Sequence, residues 1–162
     1  MSKPTIEDAR PMGDPGSDKF QVQRYPFFLL NRAVSRYNGI VETRLRGIGL
    51  DIPSWRVLMV LGEAEPRSVT QLADACVINL STLMRVIQRM ERAKIVETAQ
   101  NPSDGRVKEV RLAAAGREKL VEARRVTAPL YAAAIKEFSA ADFAQLNALL
   151  ERLFENLQSM AK

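Results

Sequence analysis

The sequence has no histidine and a single cysteine, Cys76. Histidine is the side chain that gains and loses a proton nearest neutral pH, and it is the commonest metal ligand. Without it, Ser-His and Cys-His nucleophile pairs cannot be assembled, and an ordinary zinc site loses its usual donor. One cysteine excludes an internal disulfide and suits a reducing cytoplasm, the expected location. Also missing are a phosphate-cradling glycine loop, a convergent pair of carboxylates, an internal repeat and a leader-peptide pattern. No apolar run is long enough to cross a bilayer, so a membrane is not expected as a partner. These absences together point away from an enzyme and from any bound cofactor or metal.

What is present is a basic chain of 162 residues with net charge +5, long enough for one core or a two-lobed subunit. The positive charge suits a polyanionic partner, and it is unevenly placed. Between Arg67 and Arg111 eight Lys/Arg face five Asp/Glu, a local excess of three, whereas the first 24 residues hold four of each and sum to zero.

That basic stretch carries the strongest local signals. Ser68 and Gln71 stand at capping-box spacing, and Val69, Leu72, Ala73 and Cys76 then recur on one face of a helix. Asn79 can cap a second helix whose apolar side is Leu83, Val86, Ile87 and Met90. Its other side presents Ser81, Thr82, Arg85, Gln88, Arg89 and Arg92, side chains able to reach base edges or phosphates from a major groove. Beyond Lys94, two short strands flank Asn101–Arg106, where Asp104-Gly105 signals a hairpin with glycine at positive φ. Helix, turn, helix, strand, turn, strand reads as a winged helix-turn-helix. Arg85 is the candidate for bidentate contact to a guanine, while Arg89, Arg92 and Lys108 suit phosphates. Arg106 suits a narrow minor groove. Asp104 would repel phosphate and is assigned to ordering the wing by pairing with Arg89 or Arg106. Cys76, on an apolar helix face, reads as a small hydrophobe rather than a redox sensor.

The remainder divides around this unit. Residues 1–24, rich in Pro, Gly and charge, are expected to form a disordered or extended arm. Residues 25–50 hold a dimerisation helix from Pro26 to about Arg46, ended by Gly47 and Gly49. The winged unit spans 51–112 and includes a helix from Ser54 to Gly62. Residues 113–162 form two C-terminal dimerisation helices, the first interrupted by Pro129 with a kink expected, the second capped by Ser139 and Asp142. The last helix carries a Leu/Phe stripe from Phe143 to Met160 with little left in one subunit to cover it. Such a stripe predicts a homodimer. The expected fold is mainly α: a winged helix-turn-helix with a two-stranded β-wing and a dimerisation lobe of long terminal helices.

At Leu72-Ala73, Ser81-Thr82-x-x-Arg85, Arg89-Met90-Glu91 and Asp104-Gly105-Arg106 the chain resembles the MarR family of bacterial transcription regulators. The resemblance runs from about Tyr25 to the C-terminus, and departs from the family pattern at Lys94, where glycine is usual. It implies a sequence-specific DNA-binding regulator, a dimeric repressor released from an inverted-repeat operator in double-stranded DNA by a small effector. The effectors it implies are an aromatic or phenolic acid, a drug-like compound or an acyl-CoA thioester, held between the dimer helices and the winged lobe. Phe27, Phe28, Tyr37 and Trp55 are candidate wall residues here, with Arg32, Arg36 or Arg56 to meet an anion. Some members sense oxidants through a cysteine early in the first long helix, and this sequence has none there. The rival reading is a winged-helix module that binds protein and not DNA.

Overall fold

The computed structural model describes residues 8–160. In chain order the elements are α1 (Arg10–Gly13), a 3-10 turn (Val22–Arg24), α2 (Pro26–Arg46), α3 (Ile52–Leu61), β1 (Arg67–Ser68), α4 (Val69–Cys76) and α5 (Leu80–Arg92). They continue with β2 (Val96–Gln100), β3 (Lys108–Leu112), α6 (Ala114–Ala134) and α7 (Ala140–Met160). The expected two-stranded wing is the antiparallel β2–β3 pair, with Thr98 opposite Val110 and Gln100 opposite Lys108. A third strand was not anticipated. Arg67 and Ser68 pair with Val110 and Glu109 to give the order β1-β3-β2, so the residue before the capping box of α4 is anchored to the wing.

The part of the arm that is described, residues 8–24, is not the extended segment expected; residues 1–7 of that arm lie outside the described residues. Pro11 sits in the first turn of the short helix α1. The Asp14 carboxylate accepts the Gly16 N–H at 2.8 Å, and Gln21 N–H returns to the Met12 carbonyl at 2.9 Å. Phe20 then packs edge-on against Tyr25, and Tyr25 against Phe27. Local turn chemistry and three aromatics thus fold a segment whose composition alone suggests a free coil.

The core is apolar and shared by five helices and the sheet. Val41 and Leu45 of α2, Val57, Leu58 and Leu61 of α3, Leu72 and Cys76 of α4, and Leu83, Ile87 and Met90 of α5 meet Val96, Val110, Leu120 and Ala123. Gly116 on α6 lies so close to β2 that a Cβ there would strike the Ile95 carbonyl. Pro129 is carried inside one continuous α6. By contrast, no residue of α7 is buried.

The helix starts follow their caps. Asp51, Ser68, Asn79 and Ser139 each accept the backbone N–H three residues on. Three helix ends close in one pattern, in which one N–H reaches back five residues and the preceding one three. Leu50 and Gly49 do this for α2, Ile78 and Val77 for α4, and Ile95 and Lys94 for α5. The pattern needs a left-handed residue, filled by Gly49 (φ 72), Val77 (φ 54) and Lys94 (φ 57). Lys94 therefore closes the end of α5 in a conformation that glycine takes more readily, at a steric cost.

Candidate nucleic-acid interface

α5 places its residues as a 3.6-residue period requires. Leu83, Val86, Ile87 and Met90 are buried, while Ser81, Thr82, Arg85, Gln88, Arg89 and Arg92 are exposed. One flank of the helix is tied to the wing, where the Thr98 hydroxyl on β2 donates to the Glu91 carboxylate. The other flank is tied to α3. Arg89 Nη2 donates to Asp51 Oδ2 at 2.5 Å and to Ser54 Oγ at 2.9 Å. Between these two ties, Ser81, Arg85, Gln88 and Arg92 face outward with no element over them. Among the described residues, Arg89 is the one basic side chain of α5 held in an ion pair.

Asp51 was not among the residues singled out from the sequence, although Asp51-x-x-Ser54 ahead of a helix with Pro53 is a start signal. Its carboxylate is shared between the α3 N-terminus and Arg89. Burial alone pushes the Asp51 carboxyl up, but the Ser54 hydroxyl and N–H and then the Arg89 guanidinium outweigh it and hold it below the ordinary aspartate value.

Asp104 makes no ion pair with Arg89 or Arg106 among the described residues; it meets Arg106 through the backbone. Arg89 is engaged 38 positions upstream, so Asp104 does not meet it. Instead the Asp104 carboxylate accepts the backbone N–H of Arg106 at 3.0 Å, and its carbonyl accepts the N–H of Val107 at 2.9 Å. Asn101 Oδ1 accepts from Ser103 and Asp104, and Asn101 Nδ2 donates to Glu109 at 2.5 Å. These bonds close the wing tip without a left-handed glycine at 105, contrary to the hairpin type anticipated; Gly49 is the glycine at positive φ among the described residues. Arg106 ends exposed at that tip, and Lys108 is half-buried on β3.

The residues suggested for a small ligand do not converge. An open groove of about 1670 Å³ runs between α2 and α6, and of that set only Arg32 and Arg36 line it, joined by Arg44 and Arg125. Phe28 stacks under the Arg32 guanidinium at 5.6 Å, and Phe27 sits half-exposed against Tyr25. Tyr37 and Trp55 pack on the core, where burial pushes the Tyr37 phenol up. Arg56 donates to the Cys76 carbonyl at 3.1 Å and so braces α3 against the end of α4. Trp55 Nε1 is buried and unpaired among the described residues. Cys76 itself is buried, its thiol pushed up by that burial, which leaves little thiolate for redox chemistry.

Comparison with known proteins agrees with this geometry. The MarR family model matches residues 48–107, from just past α2 to the wing tip, ending before β3. The HTH-type transcriptional repressor IacR of Pseudomonas putida is 35% identical over 147 residues, covering 91% of this chain and 88% of that protein. A MarR-family transcriptional regulator from Silicibacter pomeroyi superposes with TM-score 0.77 at 20% identity, over 84% of this chain and 92% of its own. A MarR mutant from E. coli, solved with operator DNA, superposes with TM-score 0.69 at 21% identity, over 77% of this chain and 90% of its own. A basic helix face, a wing tipped with arginine, the family-model match and a relative 35% identical over most of the chain converge on one conclusion: the chain belongs to the MarR family of winged helix-turn-helix transcription regulators.

Proposed function

We propose that the protein is a homodimeric repressor that binds an inverted-repeat operator and is released from it by a small effector. The observation that carries the DNA reading is the outward face of α5, with Ser81, Arg85, Gln88 and Arg92 open between two tethered flanks and the exposed Arg106 beside it. Ser81, Thr82, Arg85 and Gln88 would face base edges and Arg89, Arg92 and Lys108 phosphates, with Arg106 in the flanking minor groove. The similarity to a repressor, IacR, supports the sign of regulation. A gel shift with DNA flanking the protein's own gene, at salt of about 0.1 and 0.5 M, tests the reading. Tight binding at low salt that collapses at high salt is the expected result. Indifference to every duplex would favour a protein-binding winged helix.

The dimer is supported by α7. Phe143, Leu146, Leu149, Leu150, Phe154 and Leu157 all remain exposed in the single subunit, and burying each would stabilise an assembly by about 1.5–3 kcal/mol. Two recognition helices related by a two-fold axis would sit roughly 34 Å apart, one turn of duplex. Sedimentation giving single subunits at micromolar concentration would remove this part.

The effector reading rests on the α2–α6 groove, whose four arginines suit an anion and whose Leu29, Ile40, Val126 and Leu130 suit an apolar body. An aromatic acid or acyl-CoA thioester has both. Its release of DNA would follow from preferring a dimer whose recognition helices are wrongly spaced for successive grooves. Isothermal titration with aromatic acids and their thioesters should show binding, and operator affinity should fall over the same concentrations.

A further inference from the structure

Two apolar side chains stand apart from the rest of the α4–α5 pair. Val69, Leu72, Ala73 and Cys76 on α4 and Leu83, Val86, Ile87 and Met90 on α5 are buried, as is usual for such a unit. Val77 and Leu80 are 83% and 51% exposed. They flank Asn79, the cap of α5, and so occupy the leading end of that helix. Val77 also takes a left-handed φ of 54°, which a β-branched residue enters only against steric resistance. No packing within the subunit compensates for it.

Two polar side chains of the same turn, Asn79 and Ser81, already engage each other. Asn79 Oδ1 accepts the Thr82 N–H at 2.8 Å and the Ser81 hydroxyl at 2.9 Å. Ser81 thus directs its proton to the cap, and Leu80 offers an exposed apolar surface at the front of the helix beside Thr82. A helix-turn-helix reads base edges mainly with the N-terminal residues of its second helix. In the major groove one base-edge group is apolar, the C5-methyl of thymine. Counting 100° per residue, Leu80 falls on the side of α5 shared with Met84 and Glu91, toward the wing and roughly a quarter-turn from the outward Ser81 and Gln88.

We infer that Leu80 is a specificity-determining residue of the DNA interface: it packs on a thymine C5-methyl in each half-site, with Val77 widening the same apolar contact. This rests on α5 being the reading helix, and the experiment separates the two ideas. The full chain selects a duplex from a random pool. That duplex is then remade with deoxyuridine for thymidine, one position at a time, which deletes the methyl and keeps every hydrogen-bonding group.

At one position per half-site the wild type should lose about fourfold in affinity per methyl, the effect of one buried methyl-sized group. With both half-sites changed the loss should be roughly sixteenfold. Leu80→Ala should bind the thymine duplex more weakly by a similar factor and ignore uridine at that position; circular dichroism should give it the wild-type fold. If no uridine position weakens the wild type, or if Leu80→Ala keeps the same uridine sensitivity, the inference is overturned. Arg85→Ala, run on the thymine duplex, is the control. If it binds as tightly as the wild type, the recognition-helix assignment falls and the inference with it. If its binding is lost while uridine is silent, only the role of Leu80 falls.

Discussion

Replacing Lys94 with glycine should relieve a backbone strain that alanine at the same position would keep. Lys94 holds φ 57 at the end of α5, with its N–H on the Glu91 carbonyl and that of Ile95 on Met90. A Cβ in this conformation costs about 1–2 kcal/mol. Glycine removes that cost but returns about 0.5–1 kcal/mol through its greater freedom in the unfolded chain. The substitution also deletes a positive charge at a helix C-terminus, where it contributes about 0.3–1 kcal/mol. Lys94→Ala loses the same charge and keeps the Cβ, so it is the proper reference. Lys94→Gly should exceed Lys94→Ala in stability by about 0.5–1 kcal/mol, the difference between the conformational terms. Urea unfolding at one fixed subunit concentration measures this without the concentration dependence that association adds to a melting temperature. If the glycine variant is no more stable than the alanine variant, the left-handed conformation at 94 is not the source of strain described.

The other expectations follow from close contacts and charges already described. Gly116→Ala should destabilise by about 1–3 kcal/mol, because the new methyl meets a backbone carbonyl, Ile95, that cannot rotate away; unchanged urea midpoints would show that α6 can simply slide. Asp51→Asn keeps an acceptor for the Ser54 N–H but loses the charge beside Arg89. The folded-state pKa of Asp51 is depressed, so its contribution is present above about pH 4 and fades as pH falls through the folded value. The wild type should therefore exceed the variant at pH 7 by up to about 1 kcal/mol, the ceiling for a half-exposed pair, and the gap should close on acidification. A gap independent of pH between 7 and 2 would contradict this. Arg85→Ala and Arg106→Ala should each weaken operator binding, and removal of a phosphate-neutralising cation such as Arg92 should flatten the salt slope by about 2, roughly one for each subunit of the dimer. Filter binding across a salt series would expose an unchanged slope.

Local signals were legible in the sequence and long-range ones were not. The caps at Ser68, Asn79 and Ser139 could be read because each bond spans three residues. The buried face of α5 followed from period alone. The partner of Arg89 could not be read, since Asp51 lies 38 residues away and only the packing of α3 on α5 joins them. The same holds for Arg56 on the Cys76 carbonyl and for Glu65, whose carboxylate takes the Leu112 N–H at 2.6 Å and pairs with Arg117. Asp104-Gly105 suggested a left-handed glycine, but the Asn101 and Asp104 side chains offered the backbone enough acceptors to turn without one. Aromatic residues at helical spacing suggested one ligand wall, yet Tyr37 and Trp55 went to the core and Phe27 and Phe28 to the arm end of α2.

The carboxylate of Asp51 divides its two oxygens, Oδ1 to the Ser54 N–H at 2.9 Å and Oδ2 to Arg89 at 2.5 Å. No other side chain meets both demands. Asparagine would turn an amide NH₂ toward a guanidinium, glutamate overreaches the cap, and serine or threonine has a single oxygen. Positions 51 and 89 are therefore not free to drift separately. In a library randomised at both and sorted for folded, binding-competent molecules, aspartate at 51 should survive mainly where arginine is kept at 89, and the ordinary helix-starting residues should return once that arginine is gone.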